Sequence, residues 1–423
     1  MEKQGWRCRK LVLVPCPFQG HINPMLQLGT ILHSKGFSIT VAHAQFNSPQ
    51  TSNHPDFIFQ SLPDGISSKP DIPRDFLAFM SSLNLNCRAP FQEFLSQMIG
   101  KQEQQDELPC IIYDALMYFA EAVSSQLKLP SIILQTCSVT TMLTYFAYPR
   151  LQEEGYIPPQ DSNSTELVPG LHLLRFKDLP SNTFDDLDPT LQLIAILSNI
   201  GSSSAIVLCT KLLRRPLVAY WKEDSSCISW LNKQGHNSVI YVSFGSIASV
   251  DAKELTEMAW GLANSNQTFL WVIRPDPDNG AEPTDWLPDE FKETVGERGY
   301  IVKWAPQQVL AHGAVGGFWS HCGWNSTIES ISEGVPMICR PCFGDQKVNT
   351  RYISHVWRNG FELENDLERG KIERAIKRLM VEKEGEEMRQ KAAELKEKTE
   401  VSIKKGGSSN NSLNELVELI TSG

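Results

Sequence analysis

The 423-residue sequence predicts an α/β protein built from two doubly wound domains. Three observations carry that expectation. Short runs of β-branched and aromatic residues alternate with helical patterns along the whole chain, the rhythm of βαβ units and parallel sheets. Several runs, such as IIYD from Ile111 and IILQ from Ile132, are apolar almost without interruption, as strands buried on both faces are. Between the halves the texture changes: Pro158–Thr165 is polar and proline-rich, and Lys211–Cys227 fits no regular element. The domains are therefore expected at 1–210 and 228–405, joined by a short linker at 211–227, with 406–423 a terminal helix.

In the first half the expected strands are Lys10–Val14, Ser38–His43, Phe57–Gln60, Cys110–Asp114, Ser131–Gln135 and Ala205–Cys209. In the second half they are Ser238–Phe244, Thr268–Ile273, Tyr300–Trp304, Gly316–Ser320 and Val335–Cys339. Helices fill the gaps. Asn23 as N-cap and Pro24 as first residue open one over Pro24–Ser34. Others are expected at Tyr118–Leu127, Ala252–Ala263, Ser326–Glu333 and Gln346–Val356, and alternating charges over Ile372–Lys405 read as a solvated helical face. Two such domains facing each other leave one cleft at the carboxyl ends of their strands.

The composition narrows the function. A formal charge of −10, from 39 basic against 49 acidic residues, is a poor match for nucleic acid or anionic lipid. Ten cysteines are scattered too widely for a disulfide scaffold, and the single C-x-x-C, Cys339–Cys342, lacks the second pair a zinc site wants. Buried free thiols of a reducing compartment are the better reading. The run Leu11–Val14 ends at Pro15, too short for a signal-peptide core, and no run approaches the ~18 apolar residues of a membrane span. The expectation is a cytoplasmic monomer without nucleic-acid or membrane partners.

Chemistry concentrates in four places. His21 follows the first strand in PCPFQGHINP and is expected on the turn at its carboxyl end, where an imidazole suits proton transfer near neutrality. Asp114 ends another strand of the same sheet and could fix the tautomer of His21; its alternative is an N-cap for the segment starting near Leu116. The run from Trp304 to Gln346 reads as a strand, the tight turn His321–Asn325, a helix from Ser326 and Gly334 as its C-cap. A glycine-bearing turn opening a helix suits a pyrophosphate, with His321, Asn325 and Ser326 adding donors. Glu329 lies one turn further on the same face, placed to accept ribose hydroxyls, and Trp304 offers a flat ring for a base or for the core. Ser246, after VSFG, is a weaker phosphate donor. Asp186-Leu-Asp188 and Asp276-Pro-Asp278 have D-x-D spacing away from this box, so no metal is expected, and the missing G-x-G-x-x-G after the first strand speaks against a dehydrogenase.

Together these pieces resemble the plant family-1 UDP-glycosyltransferases. The Trp304–Gln346 run resembles their signature box, and PFQGHINPML, FLWVIRP and the closing GGSSNNSLNEL extend the likeness over nearly the whole chain. The wording is most similar to the group with cytokinin and diterpenoid glucosyltransferases. The resemblance implies a glycosyltransferase-B fold of two Rossmann-like domains facing a cleft, the acceptor on the N-terminal one and UDP-sugar on the C-terminal one. The terminal helix would pack back on the N-terminal domain. UDP-glucose would be the donor substrate, with no further cofactor, and a small apolar molecule the acceptor. Trp304 would stack on uracil with Gln307 at its edge, and Glu329 would hold the ribose. Ser246, His321, Gly323, Trp324, Asn325 and Ser326 would meet the diphosphate. Asp345, Gln346 and Thr136 would meet the sugar. His21, oriented by Asp114, would be the general base. Leu116, Met117 and Phe146 would line the acceptor pocket, with Asp71–Asn86 as a lid. Where relatives carry a helix and an extended linker, this chain has only the 16 residues Lys211–Ser226.

Overall fold

The computed structural model describes residues 10–66, 76–100, 108–159, 164–180, 187–199, 203, 205–208, 223–246, 250–274, 287–363 and 367–422. It divides into two compact units. The first comprises Met1–Leu151, Asp185–Tyr220 and Ser402–Gly423, the second Gln152–Phe184 and Trp221–Val401.

The first unit holds a parallel sheet of β1 (Lys10–Val14), β2 (Ser38–Ala44), β3 (Ile58–Leu62), β4 (Cys110–Asp114), β5 (Ser131–Gln135) and β6 (Ala205–Leu208), in the order β3-β2-β1-β4-β5-β6. Leu11, Val12, Leu13 and Val14 are wholly buried, which is why β1 reads as unbroken apolar sequence. Its register pairs Val14 with Tyr113, so β1 and β4 end side by side. The second unit repeats the plan with β7 (Val239–Ser243), β8 (Thr268–Val272), β9 (Gly299–Val302), β10 (Val315–Ser320), β11 (Met337–Cys339) and β12 (Gly360–Glu362), ordered β12-β11-β10-β7-β8-β9. Its core packs Val242, Trp271, Trp319 and Ile338 against Met258, Leu262, Ile372, Ile376 and Leu379 of the flanking helices.

Several elements differ from expectation. The first helix spans Gln19–Ser34 and not Pro24–Ser34. Phe18 is extended (φ −118°, ψ 145°), and its carbonyl accepts the N–H groups of His21 and Ile22, each at 2.9 Å. The first turn forms on that carbonyl, so His21 belongs to the helix and Pro24 lies inside it. Proline's fixed φ is helical, so its presence there forfeits one backbone bond without ending the helix.

The expected lid is, from Phe76 onward, part of a 25-residue helix, Phe76–Gly100; residues 71–75 lie outside the described residues. Met80, Leu83, Cys87, Phe91 and Leu95 are buried at helical spacing, a stripe that Pro90 obscures in the sequence. The helix expected at Gln346–Val356 is α-helical only to Arg351 and continues as a wider π turn over Tyr352–Trp357. The helix Leu187–Ser198 and the three-residue β12 had no counterpart in the sequence reading.

The charged C-terminal stretch forms two helices, Arg369–Met380 and Lys383–Ile403. The terminal helix Ser408–Ser422 places Leu416 and Ile420 in the core of the first unit with Leu11, Ile22 and Leu26. Residues 152–184, placed by the sequence in the N-terminal domain, group instead with the second unit. Arg351 Nε donates to the Leu173 carbonyl (2.8 Å) and lies 3.6 Å from Asp178, and Arg175 lies 3.9 Å from Glu362. These side-chain contacts tie the stretch to the second unit, which an apolar-periodicity reading cannot see.

Residues 211–222 of the linker, both residues 276 and 278 of one D-x-D and residue 186 of the other lie outside the described residues. Among the described cysteines, Cys16, Cys87, Cys110, Cys137, Cys227, Cys322 and Cys339 are buried free thiols, and Cys342 is half-buried. No helix among the described residues is long and apolar enough to cross a membrane.

Candidate active site

In the first unit the helix beginning at Gln19 carries His21 back over the end of β4. His21 Nδ1 lies 2.8 Å from Asp114 Oδ2, with the histidine side chain 22% exposed and the carboxylate almost wholly buried. The other carboxylate oxygen, Oδ1, accepts the Leu116 N–H at 3.0 Å. Asp114 therefore faces His21 with one oxygen and ties the turn before the next helix with the other; it is not that helix's N-cap, because the helix starts at Phe119 and Tyr118 occupies the cap position. An Nδ1–H that donates to the carboxylate leaves Nε2 as the basic nitrogen, the tautomer a general base needs. Thr136 Oγ1 lies 3.1 Å from the same Nδ1, so the structure sets this residue against the histidine.

Cys16 is a neighbour the sequence did not single out. Its sulfur, a ring nitrogen of His21 and an Asp114 oxygen fall within 4.8 Å of one another. Burial, with the Asp114 charge adding to it, pushes the Cys16 thiol well above its usual range. It is therefore a neutral apolar wall behind the pair. Of the three residues expected at the acceptor, Met117 has no exposed surface and Leu116 is buried, whereas Phe146 is 40% exposed.

In the second unit the remaining residues follow the carboxyl ends of strands of one sheet. Trp304 follows β9, Ser246 follows β7, and His321 follows β10 and precedes the helix Trp324–Glu333. The turn between β10 and the helix is held in an uncommon shape. Cys322 has φ +63°, and its backbone is tied by Ser320 Oγ, which accepts its N–H (3.1 Å), and by Asn349 Nδ2, which donates to its carbonyl (3.0 Å). Gly323 caps the helix without a side-chain bond.

The His321 ring is wedged between two glycines. A Cβ on Gly245 would stand 2.7 Å from its Cε1, and one on Gly323 would stand 2.6 Å from its Nε2. Burial, with the Arg274 charge adding to it, brings the imidazole down to about 4, so it is neutral at physiological pH. Its buried Nδ1 has no hydrogen-bond partner among the described residues.

The other donor-side candidates are held by one another. Gln307 Nε2 donates to Glu329 Oε1 at 2.5 Å. Asp345 Oδ2 accepts from Asn349 Nδ2 (3.0 Å), the same amide that holds the Cys322 carbonyl. Gln346 is buried, and its Oε1 accepts the N–H groups of Cys342 (2.7 Å) and Phe343 (3.1 Å), bracing the loop after β11. Asn325 and Ser326 lie half-buried in the first turn of the helix. Sequence reasoning named Gly323 but missed Asn349, Gly245 as the other glycine against His321, and Arg274. Arg274 follows β8, and one of its guanidinium nitrogens donates to the Ser246 carbonyl. A charge closing the apolar run FLWVIR was the available signal.

Two parallel α/β units, one with a histidine–carboxylate pair and the other with a glycine-bearing turn that opens a helix, are the architecture of a glycosyltransferase of the B type. The comparisons agree. Residues 222–395 match the family model "UDP-glucoronosyl and UDP-glucosyl transferase". UDP-glycosyltransferase 76E1 of Arabidopsis thaliana is 44% identical over 447 residues, covering 99% of this chain and 98% of that protein. Flavonol 3-O-glucosyltransferase UGT76E12 of the same plant is 46% identical over 453 residues, with 99% and 98% covered. The solved structure of Phytolacca americana UGT2 with UDP-2fluoro-glucose and pterostilbene is 26% identical at TM-score 0.82, covering 98% of this chain and 99% of that one. Os79 from O. sativa, solved with UDP, shares the fold at 24% identity and TM-score 0.83, with 97% and 100% covered. The chain belongs to the plant family-1 UDP-glycosyltransferases and is a glycosyltransferase enzyme.

Proposed function

We propose that this enzyme transfers glucose from UDP-glucose to a hydroxyl of a small apolar plant metabolite, or to a carboxyl or amine, giving a β-glucoside with inversion. The observation that carries the reading is the His21–Asp114 pair, with Nδ1 and Oδ2 2.8 Å apart. His21 Nε2 takes the acceptor proton, and the acceptor oxygen attacks the anomeric carbon as its bond to the UDP oxygen breaks. Asp114 stabilises the imidazolium that results. Trp304 and Gln307 hold the uracil, and Glu329 holds the ribose hydroxyls once Gln307 releases it. Ser246, His321, Gly323, Trp324, Asn325 and Ser326 meet the diphosphate. Asp345 and Gln346 face the sugar, and Phe146 contributes to the acceptor wall. The reaction needs no metal, because the departing diphosphate is met by a helix N-terminus and fixed donors. An acceptor panel with UDP-glucose and UDP-galactose, analysed by mass spectrometry with and without EDTA, tests this. Glucoside formation unaffected by EDTA is the expected result. Transfer from UDP-galactose alone, or loss of transfer in EDTA, would refute it.

A second reading follows from length. The alignment with the 76E1 protein of Arabidopsis runs over 447 residues, so at least 24 of its positions, the excess over this chain's 423, have no counterpart here. Were that shortfall to fall at 211–227, where the sequence reading expects a shortened linker, the chain would bind UDP-sugar without productive transfer. Acceptor-dependent release of UDP separates the two readings.

A further inference from the structure

The geometry points to Arg274 as the positioning cation of the donor site: its guanidinium holds the Gly245–Ser246 turn against His321 and supplies the positive charge that the diphosphate of UDP-sugar meets. This rests on the donor-site reading above and extends it to a residue outside the signature box.

The first support is topological. The sheet order β12-β11-β10-β7-β8-β9 places the carboxyl ends of five consecutive strands in one row. Four of those ends already carry donor-side residues: the loop braced by Gln346 after β11, His321 after β10, Ser246 after β7 and Trp304 after β9. β8 is the one strand of that row left without a part, and it lies between those bearing Ser246 and Trp304. Arg274 is the second residue beyond its end. In open α/β sheets ligands bind along this edge of the strands.

The second support is contact. An Arg274 guanidinium nitrogen donates to the Ser246 carbonyl at 2.5 Å. Gly245, one residue earlier, has φ +71° and lies against the His321 ring so closely that a Cβ would stand 2.7 Å from Cε1. Arginine, turn and imidazole thus form one contiguous assembly, in which the carbonyl fixes where the guanidinium points. The Arg274 charge also reaches the imidazole, where it adds to burial in keeping that ring neutral.

Electrostatics supply the reason for a cation. The chain carries a net −10, and the diphosphate must be bound, then relieved of the charge that collects on UDP as its bond to the anomeric carbon breaks. Ser246, Asn325, Ser326 and a neutral His321 bring no positive charge. Burial lowers the Arg274 guanidinium only to about 10, so it stays charged at physiological pH. A charged donor fixed in a site screened from water interacts far more strongly with an anion than one in water.

The test compares UDP with uridine, which share base and ribose and differ in the diphosphate. Binding of each is measured by calorimetry on the full chain, its Arg274→Gln variant and its Arg274→Lys variant, with thermal melting alongside. Arg274→Gln is expected to weaken UDP by about 10- to 100-fold, in the range of a hydrogen bond to a charged group, and uridine by less than about twofold. Arg274→Lys keeps the charge without the fork, so its ratio of UDP to uridine affinity is expected within about threefold of wild type. Equal losses for UDP and uridine in Arg274→Gln would reduce Arg274 to a structural part and overturn the proposal, as would no loss of UDP. Should Arg274→Gln not fold, a collapsed ratio in Arg274→Lys overturns it and a kept ratio supports it. Failure of the wild-type chain to bind UDP would instead refute the donor-site reading itself.

Discussion

His21 and Asp114 stand 93 residues apart in the chain and 2.8 Å apart in the structure, joined Nδ1 to Oδ2. The carboxylate's second oxygen is committed to the Leu116 N–H, so Asp114 cannot turn away from the ring without leaving a buried backbone donor unpaired. The pair is therefore fixed before substrate arrives. Replacing His21 by Ala should lower kcat by about 10²- to 10⁴-fold, the usual worth of a general base. UDP affinity should stay within twofold, because every proposed contact with the nucleotide lies in the second unit. Asp114→Asn should fall in the same direction, since an amide can present the wrong hydrogen-bonding group to Nδ1. Steady-state kinetics with calorimetry of UDP checks both; turnover in His21→Ala equal to wild type removes the residue from the mechanism.

Gly245 gives a sharper structural test. An added methyl meets the His321 ring at 2.7 Å in a backbone region, φ +71°, that L-residues rarely adopt. Gly245→Ala should displace the imidazole and weaken UDP by about tenfold or more, beyond the ~1–2 kcal/mol of left-handed backbone strain. Gly36→Ala is the control: φ is +95°, yet no atom of the described residues lies within 4 Å of its added carbon. It should cost stability alone. Melting and UDP binding of the two variants separate collision from strain.

Much of this arrangement was legible because buried parallel strands are spelled in apolar letters. Lys10–Val14, Cys110–Asp114 and Ser131–Gln135 have the predicted bounds to the residue, and the turn from His321 into the helix was visible in its glycine and polar residues. What was not legible depends on partners distant in sequence. The Asn23–Pro24 start signal was overruled by the Phe18 carbonyl, and the stripe through Met80, Leu83, Cys87, Phe91 and Leu95 was hidden by a tolerated proline. Membership of residues 152–184 in the second unit rests on Arg351 and Glu362, nearly two hundred residues away. For the same reason Arg274 escaped notice: its significance lies in a carbonyl 28 positions earlier.

Glu329 tests the ribose assignment. In the structure its Oε1 is occupied by the Gln307 amide, a bond that ribose hydroxyls would replace. Glu329→Ala should weaken UDP about 10- to 100-fold, as expected for loss of hydrogen bonds to a charged acceptor. The nucleotide with a 2′,3′-dideoxyribose should bind wild type and variant alike, because it has no hydroxyls to lose. If the variant loses both nucleotides equally, Glu329 acts by positioning Gln307 and not by holding ribose.

The buried His321 makes stability depend on acid in a direction that can be worked out. Its pKa is lowered from 6.5 to about 4 on folding, chiefly by burial. Between those values the unfolded chain binds a proton that the folded chain refuses, so stability rises with pH across that window. The contribution is fully present above about 6.5 and is lost as pH falls toward 4, with a total on the order of 3 kcal/mol. Urea titrations of wild type and His321→Asn from pH 4 to 8 should therefore show a shallower slope in the variant between pH 4 and 6.5. They should show parallel curves above pH 7. An asparagine keeps a neutral donor but has no proton to refuse, so identical slopes in the two proteins would mean that the ring is not buried as a neutral group. UDP binding to wild type above pH 6.5 should likewise owe no pH dependence to this residue, since the imidazole stays neutral throughout.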